Sequence, residues 1–123
     1  MEKKFEIKLL EEAFGFIKSQ NDKVQNKILY NIRKAQVLND PKLFKKLNQN
    51  IWEFRTKYAG LQYRVLAFWD KENNQMTLVC GTHGFVKKTD KISPKEIEKA
   101  EQIRTEYLVY QQADFERKKK QNL

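Results

Sequence analysis

Residues 51–88 read IWEFRTKYAGLQYRVLAFWDKENNQMTLVCGTHGFVKK, and their alternation decides the fold. From Trp52 to Tyr58 a two-residue period puts Trp52, Phe54, Thr56 and Tyr58 on one face and Glu53, Arg55 and Lys57 on the other. This predicts a strand with one apolar and one charged side. From Tyr63 to Trp69 both faces are apolar apart from Arg64. Such a strand belongs at the centre of a sheet, and a guanidinium there must be paired or put to use. A third strand, Met76 to Phe85, passes through Cys80, Gly81, Thr82 and Gly84, small residues that let another group approach the backbone, and Lys87 and Lys88 follow it. Ala59-Gly60 and the segment Asp70 to Gln75 read as hairpin connections, so the three strands are antiparallel.

Upstream, Phe5, Ile7 and Leu9 alternate with Lys4, Glu6 and Lys8, which predicts a half-buried strand over Lys4 to Leu10. Leu10, Phe14 and Ile17 then take up helical spacing, predicting a short helix over Glu11 to Ser19 that Gln20-Asn21 interrupts. Asp22 is placed to cap a second helix, with Gln25 as its reciprocal partner. Val24, Ile28, Ile32, Ala35 and Leu38 form the apolar stripe of that helix. The two helices make a hairpin whose stripes require an apolar surface, and the Trp52/Phe54 face supplies one. Asn39-Asp40-Pro41 ends the second helix, and Pro41 opens a short turn through Leu43, Phe44 and Leu47. Downstream, Ser93-Pro94-Lys95-Glu96 combines a capping serine, proline at the first helical position and a glutamate reaching back. The helix it starts carries Ile97, Ala100, Ile103, Tyr107 and Tyr110 along one side, then turns polar into the run Arg117 to Lys120, a solvated end. The class is α+β: a strand, a two-helix hairpin, three antiparallel strands and a C-terminal helix.

The 123 residues suffice for one domain with a real core. Lys and Arg number 25 against 16 Asp and Glu, a net charge of +9 that favours an anionic partner, nucleic acid being the commonest. The excess is not confined to a tail: residues 1–50 carry 11 basic and 6 acidic side chains, and residues 51–91 carry 7 and 4. The lone Cys80 excludes an internal disulfide, and no Cys/His set has zinc-ligand spacing, so no metal or cofactor is expected. With no leader pattern and no apolar run near about 20 residues, a cytoplasmic protein without membrane contact is expected.

Three segments go further than periodicity. LxxxIWEFR (Leu47 to Arg55), GLQYRVLAFW (Gly60 to Trp69) and HGFVKKTDKISPKEIEKA (His83 to Ala100) resemble, in order and spacing, the RelE/HigB superfamily of bacterial and phage toxins. The branch in question reads close to LWELR, YRV and HGFxKKTxKTPxxEIxxA. The resemblance spans roughly residues 5–108, which implies a toxin domain over 1–108 with residues 109–123 as helix extension and basic tail. It further implies a RelE-like fold and the toxin of a type II toxin–antitoxin system, a ribosome-dependent, metal-independent mRNA endoribonuclease that inhibits translation. The implied partners are mRNA, the ribosome and a helix-turn-helix, HigA-like antitoxin, with operator DNA reached only through that antitoxin. A gyrase-poisoning toxin of the same fold and a non-catalytic nucleic-acid-binding module are the alternatives, since fold does not fix function.

By the resemblance, Arg55 and Lys57 match the family's basic alternation after the helices, Arg64 the arginine of its YR word, and Lys87 and Lys88 the basic pair after the last strand. Relatives often carry a Tyr or His near the C-terminal helix, whereas Lys91 to Ile97 holds neither. RNA cleavage by its own 2′-hydroxyl needs a base, positive charge for the phosphorane and an acid. Arg64, Arg55 and Lys87 or Lys88 can grip the phosphate, because a guanidinium matches phosphate oxygens bidentately. Lys57 is a candidate base, with His83 and Glu53 as alternatives. Phe85, Tyr63 or Trp52 can stack on a splayed base, and Phe85, Lys88 and Glu53 complete the expected RNA-binding set. Each has a plainer role: exposed strand cations are ordinarily solvated, His83 can be a satisfied structural residue, and Cys80, Trp52, Phe54, Tyr107 and Tyr110 can be packing residues.

Overall fold

The computed structural model describes residues 2–71 and 78–121. Along the chain it has β1 (Glu6–Leu9), α1 (Glu11–Lys18), α2 (Asp22–Val37), β2 (Phe44–Lys46), β3 (Trp52–Tyr58), β4 (Leu61–Asp70), β5 (Leu78–Lys87) and α3 (Pro94–Gln121). The five strands form one sheet in the order β1-β5-β4-β3-β2, with β1 parallel to β5 and the other pairs antiparallel. This is the expected α+β architecture and is consistent with a RelE-like fold. Among the described residues no helix is long and apolar enough to cross a membrane.

β4 is the central strand that its two apolar faces demand, buried continuously from Tyr63 to Phe68. On one face Tyr63, Val65 and Ala67 join Phe54 and Val79 beneath Ala13 and Ile17 of α1 and Val24, Ile28, Ile32 and Ala35 of α2. On the other, Leu66, Phe68 and Cys80 pack with Ile51 against Ile97, Ala100 and Tyr107 of α3. Each large apolar side chain so enclosed contributes about 1.5–3 kcal/mol. The β3–β4 hairpin turns on Ala59 (φ 51°) and Gly60 (φ 80°), two consecutive positive-φ residues whose twist matches that of the strands they join.

Several details depart from the sequence reading. β2 lies where only a turn was expected: it is too short to show a period, and its pairing with β3 makes it a strand. The cap of α2 is Asn21, whose side chain accepts the Val24 N–H at 3.0 Å, while Gln25 turns back to the carbonyls of Gln20 and Lys18. Phe14 is exposed, and Ala13 and Ile17 face the sheet instead. Trp52 is not under the helices; it stacks on Phe44 and meets Trp69 edge-on at the sheet margin. Tyr110 is exposed, as are Val109 and Phe115, so α3 leaves the sheet after Tyr107. Asp70 ends β4 and is no loop residue, whereas the rest of the expected connection, 72–75, and the strand start at Met76 lie outside the described residues.

The close approach that small residues on β5 permit is made by α1, within the protein. A Cβ at Gly84 would overlap the Phe16 ring, and one at Gly81 would come within 3.0 Å of Leu9 and 3.4 Å of Ala13. Gly15 on α1 itself has open space around it. Gly84→Ala should therefore destabilise the protein by about 1–3 kcal/mol through overpacking. Gly15→Ala should stabilise it by up to about 1 kcal/mol through helix propensity. Urea midpoints of the two variants beside wild type test both signs at once, and a neutral Gly84→Ala would refute the packing just described.

Candidate nucleic-acid interface

Antiparallel register sets Arg55 of β3 directly opposite Arg64 of β4, an arrangement that like charges oppose. Glu53, two residues earlier on the same face, resolves it. Its carboxylate is buried, with Oε1 3.4 Å from Arg55 Nε and Oε2 3.6 Å from Arg64 Nε. Arg64 is held further by Nη2 donating to Gln62 Oε1 at 2.7 Å and Nη1 donating to the Tyr63 carbonyl at 3.1 Å, and it is only 2% exposed. Burial lowers its pKa, the Glu53 charge opposes that and Arg55 adds to it; a guanidinium stays protonated throughout.

A recess of about 460 Å³ runs round the edge of β3 and takes in both this pair and α2, which lie on opposite faces of the sheet. Its walls include Lys27 and Lys34 of α2, Lys42 of the following turn, Arg55 and Lys57 of β3, and Arg64 of β4, and no carboxylate lines it. β2 pairs with β3 only as far as Phe54, and the Arg55 N–H donates to the Leu43 carbonyl at 2.8 Å, so beyond this point β3 is a sheet edge. Asn31 of α2 donates to Thr56 Oγ1 at 3.2 Å and ties the two walls together. Cations from three elements and a turn line this one recess, an arrangement suited to an extended anion.

The expected site residues are thus only partly brought together. Arg55, Lys57 and Arg64 share the cleft, and Lys87 stands across from Gln62 on the next strand. Lys88 and Phe85 bound a neighbouring hollow with Lys91 and Ile92, just before α3, where Phe85 is partly buried in the α3-side core. Glu53 lies beneath the two guanidiniums as their counterion. Tyr63 is buried under the helices and offers no stacking surface. Lys27, Asn31, Lys34 and Lys42 were not anticipated: the helical period sets Lys27, Asn31 and Lys34 on one face of α2, but only the packed structure turns that face toward β3.

His83 lies outside the cleft. β5 carries a one-residue bulge, with Leu66 opposite His83 and Ala67 opposite Gly81, so Thr82 is the extra residue. The bulge puts His83 and Cys80 on the same face although they are three apart. Thr82 Oγ1 donates to the Leu66 carbonyl at 3.2 Å and shares a hydrogen bond of 3.1 Å with His83 Nδ1. Burial, with help from the Lys99 charge, lowers the His83 pKa to about 4 against a weaker pull from Glu12. The ring is therefore neutral near pH 7, and its Nε2, 3.7 Å from Glu96 Oε1, forms no ion pair. Cys80 is a packed thiol whose pKa burial raises to about 11. Tyr107 donates to Asp70 Oδ2 at 2.7 Å, and burial together with that bond raises its pKa. Among the described residues no cluster of His, Cys, Asp and Glu can hold a metal ion.

Because His83 titrates lower in the folded than in the unfolded chain, its neutral burial stabilises the protein fully above about pH 6.5. That contribution is lost as pH falls toward about 4, by up to roughly 3 kcal/mol. Urea midpoints measured from neutral pH down to about pH 5 should fall in wild type and fall less steeply in His83→Gln. Identical slopes would show that the imidazole is not buried neutral.

A family model described as Phage derived protein Gp49-like (DUF891) matches residues 15–105. No curated protein and no solved structure matches the chain.

Proposed function

Since the chain belongs to the Gp49-like family of phage-derived proteins, a RelE-like family of toxin–antitoxin toxins, we propose that it is the toxin of such a pair and cleaves mRNA on the ribosome. The observation that carries this reading is the acid-free cleft with a rigidly held guanidinium at its floor. In the proposed step the 2′-oxygen loses its proton and bonds to phosphorus, the bond from phosphorus to the 5′-oxygen breaks, and that oxygen takes up a proton. Arg64 has two N–H groups bound to Gln62 and Tyr63 and further donors for the phosphate, so it meets the phosphorane's added charge with little reorganisation. Arg55 and Lys87 supply charge from either side of it. Lys57, exposed on the cleft wall opposite Gln62, is in this reading the proton-transfer group. His83 then serves packing, and Glu53 orients the two arginines.

The family implies an antitoxin partner. In this reading it is a HigA-like helix-turn-helix protein that blocks the cationic cleft and carries the complex to operator DNA, and the site of action is the cytoplasm, where ribosomes are. Residues 1–108 form the toxin domain and 109–123 the extension, a division supported by Tyr107 being the last α3 residue in the sheet-side core.

Induced without its antitoxin, the protein should stop translation before replication. A fall in DNA synthesis first, with mRNA intact, would favour a gyrase poison, and ribosome binding without cuts would favour a non-catalytic module. Arg64→Ala strips Glu53 of one partner and risks about 3–5 kcal/mol of stability, so Arg64→Lys, which keeps the charge and loses the fork, is the cleaner variant. Lys57→Ala removes a surface group at little cost in stability. Each should lower the cutting rate on a translated mRNA by about a hundredfold or more while ribosome co-sedimentation changes by less than about tenfold. Folded variants that cut at the wild-type rate would place the chemistry elsewhere.

A further inference from the structure

The proposed chemistry engages one phosphate over Arg64, yet half of the cleft's cations lie elsewhere. Lys27 and Lys34 project from α2, on the border of the stripe that packs on the sheet, and Lys42 closes the end nearest Leu43. Between the two helical lysines Asn31 is buried and bonded to Thr56 of β3, so the helix wall is fixed relative to Arg55, Lys57 and Arg64 and cannot drift from them. Seven residues separate Lys27 from Lys34, about 10 Å along the axis, which suits them to different phosphates. Beside Lys27, whose ammonium lies 5.4 Å from the Tyr30 ring centre, that ring is 56% exposed and offers a face on which a base can stack.

We propose that α2 is the second wall of a track for single-stranded RNA, in which Lys27 and Lys34 hold phosphates flanking the one at Arg64 and Tyr30 receives a neighbouring base. The track takes a single strand because its cations line one recess that bends round the edge of β3, from Lys27 and Lys34 on the α2 side to Arg55, Lys57 and the nearly enclosed Arg64 on the other. A duplex is too stiff and wide to follow that bend and cannot present its phosphates to both sides of the edge together. The chain thereby acquires a backbone-tracking groove lined by charge, with a stacking group at its rim. The inference takes its ligand, RNA, from the function proposed above, but it does not require that the RNA be cut.

The test is fluorescence anisotropy on the full chain with a single-stranded RNA of about twelve nucleotides, 2′-O-methylated so that it cannot be cleaved, between about 50 and 200 mM salt. Three proteins are compared: wild type, Lys27→Gln/Lys34→Gln, and Lys118→Gln/Lys119→Gln as a control with the same charge change. The α2 variant should bind about tenfold or more weakly at the lowest salt. Its slope of log affinity against log salt should be shallower by about 1.4, as expected for two lost contacts to a single strand. The tail variant should stay within about twofold of wild type at that salt. Tyr30→Ala should weaken binding with no change in slope, and a duplex of the same sequence should bind wild type at least about tenfold more weakly. The track is overturned if wild type does not bind the RNA at about 50 mM salt, if the tail and α2 variants lose affinity equally, or if the duplex binds as well. It is overturned too if polyglutamate competes as well as RNA at equal charge, since the cleft would then select an acidic polypeptide equally. Cutting on programmed ribosomes is scored separately. A wild type that shows the α2-dependent binding but cuts nothing loses the nuclease function and keeps the track, whereas one that cuts undiminished after the α2 change keeps the nuclease function and loses the track.

Discussion

Strand β4 is buried on both faces from Tyr63 to Phe68, so two separate layers have to cover it, and they do not reach equally far. The α1–α2 layer covers its face at Tyr63, Val65 and Ala67. On the other face α3 covers Leu66 and Phe68, and the core there stops short of Arg64. Arg64 therefore sits at the boundary between a sealed core and an open recess. That boundary is the candidate site, and it exists because α3 crosses one end of the sheet only.

Electrostatics at this boundary are asymmetric. Two guanidiniums share a single buried carboxylate, leaving one net positive charge at the cleft floor before the surrounding lysines are counted. Burying ions costs several kcal/mol apiece, and Glu53 offsets this only in part, since its contacts at 3.4 and 3.6 Å are longer than good charge-assisted hydrogen bonds. Neither Arg55 Nε nor Arg64 Nε has a hydrogen-bond partner among the described residues. An anion entering the cleft would supply the missing counter-charge. Binding and folding are then linked: a ligand that binds only the folded state stabilises it by mass action.

β5 divides its labour along its length. Gly81 and Gly84 give α1 a seat too close for any Cβ at Gly84, and the Thr82 bulge between them shifts the alternation by one residue. Without that shift His83 would point toward α1. With it, His83 joins Phe85 and Lys87 on the α3 face, where it is sealed in neutral form, and only at Lys87 does the strand reach the neighbourhood of the cleft. A strand rich in small residues thus binds a helix of its own chain.

The elements themselves were legible in the sequence because each depends on its own side chains: the period of two in Trp52 to Tyr58, the two-sided apolar run around Arg64, the stripe of α2 and the capping signal at Ser93-Pro94. The motifs of the three segments likewise identified the RelE-like class, and the period of β3 set Arg55 and Lys57 on one face, whereas it is the register that brings Arg64 beside them. Hidden were features that depend on register or on packing between distant segments. The pairing of β2 is too short to carry a period, and the Thr82 bulge reverses faces without any local mark. Glu53 becomes a counterion only when β3 lies beside β4. Lys27, Asn31 and Lys34 occupy a predictable face of α2, but what that face looks onto is set by how the helix docks on the sheet. Local periodicity determines which side chains share a face; which faces meet across a cleft is decided by tertiary packing, because the contacts that choose among dockings join residues far apart in the chain.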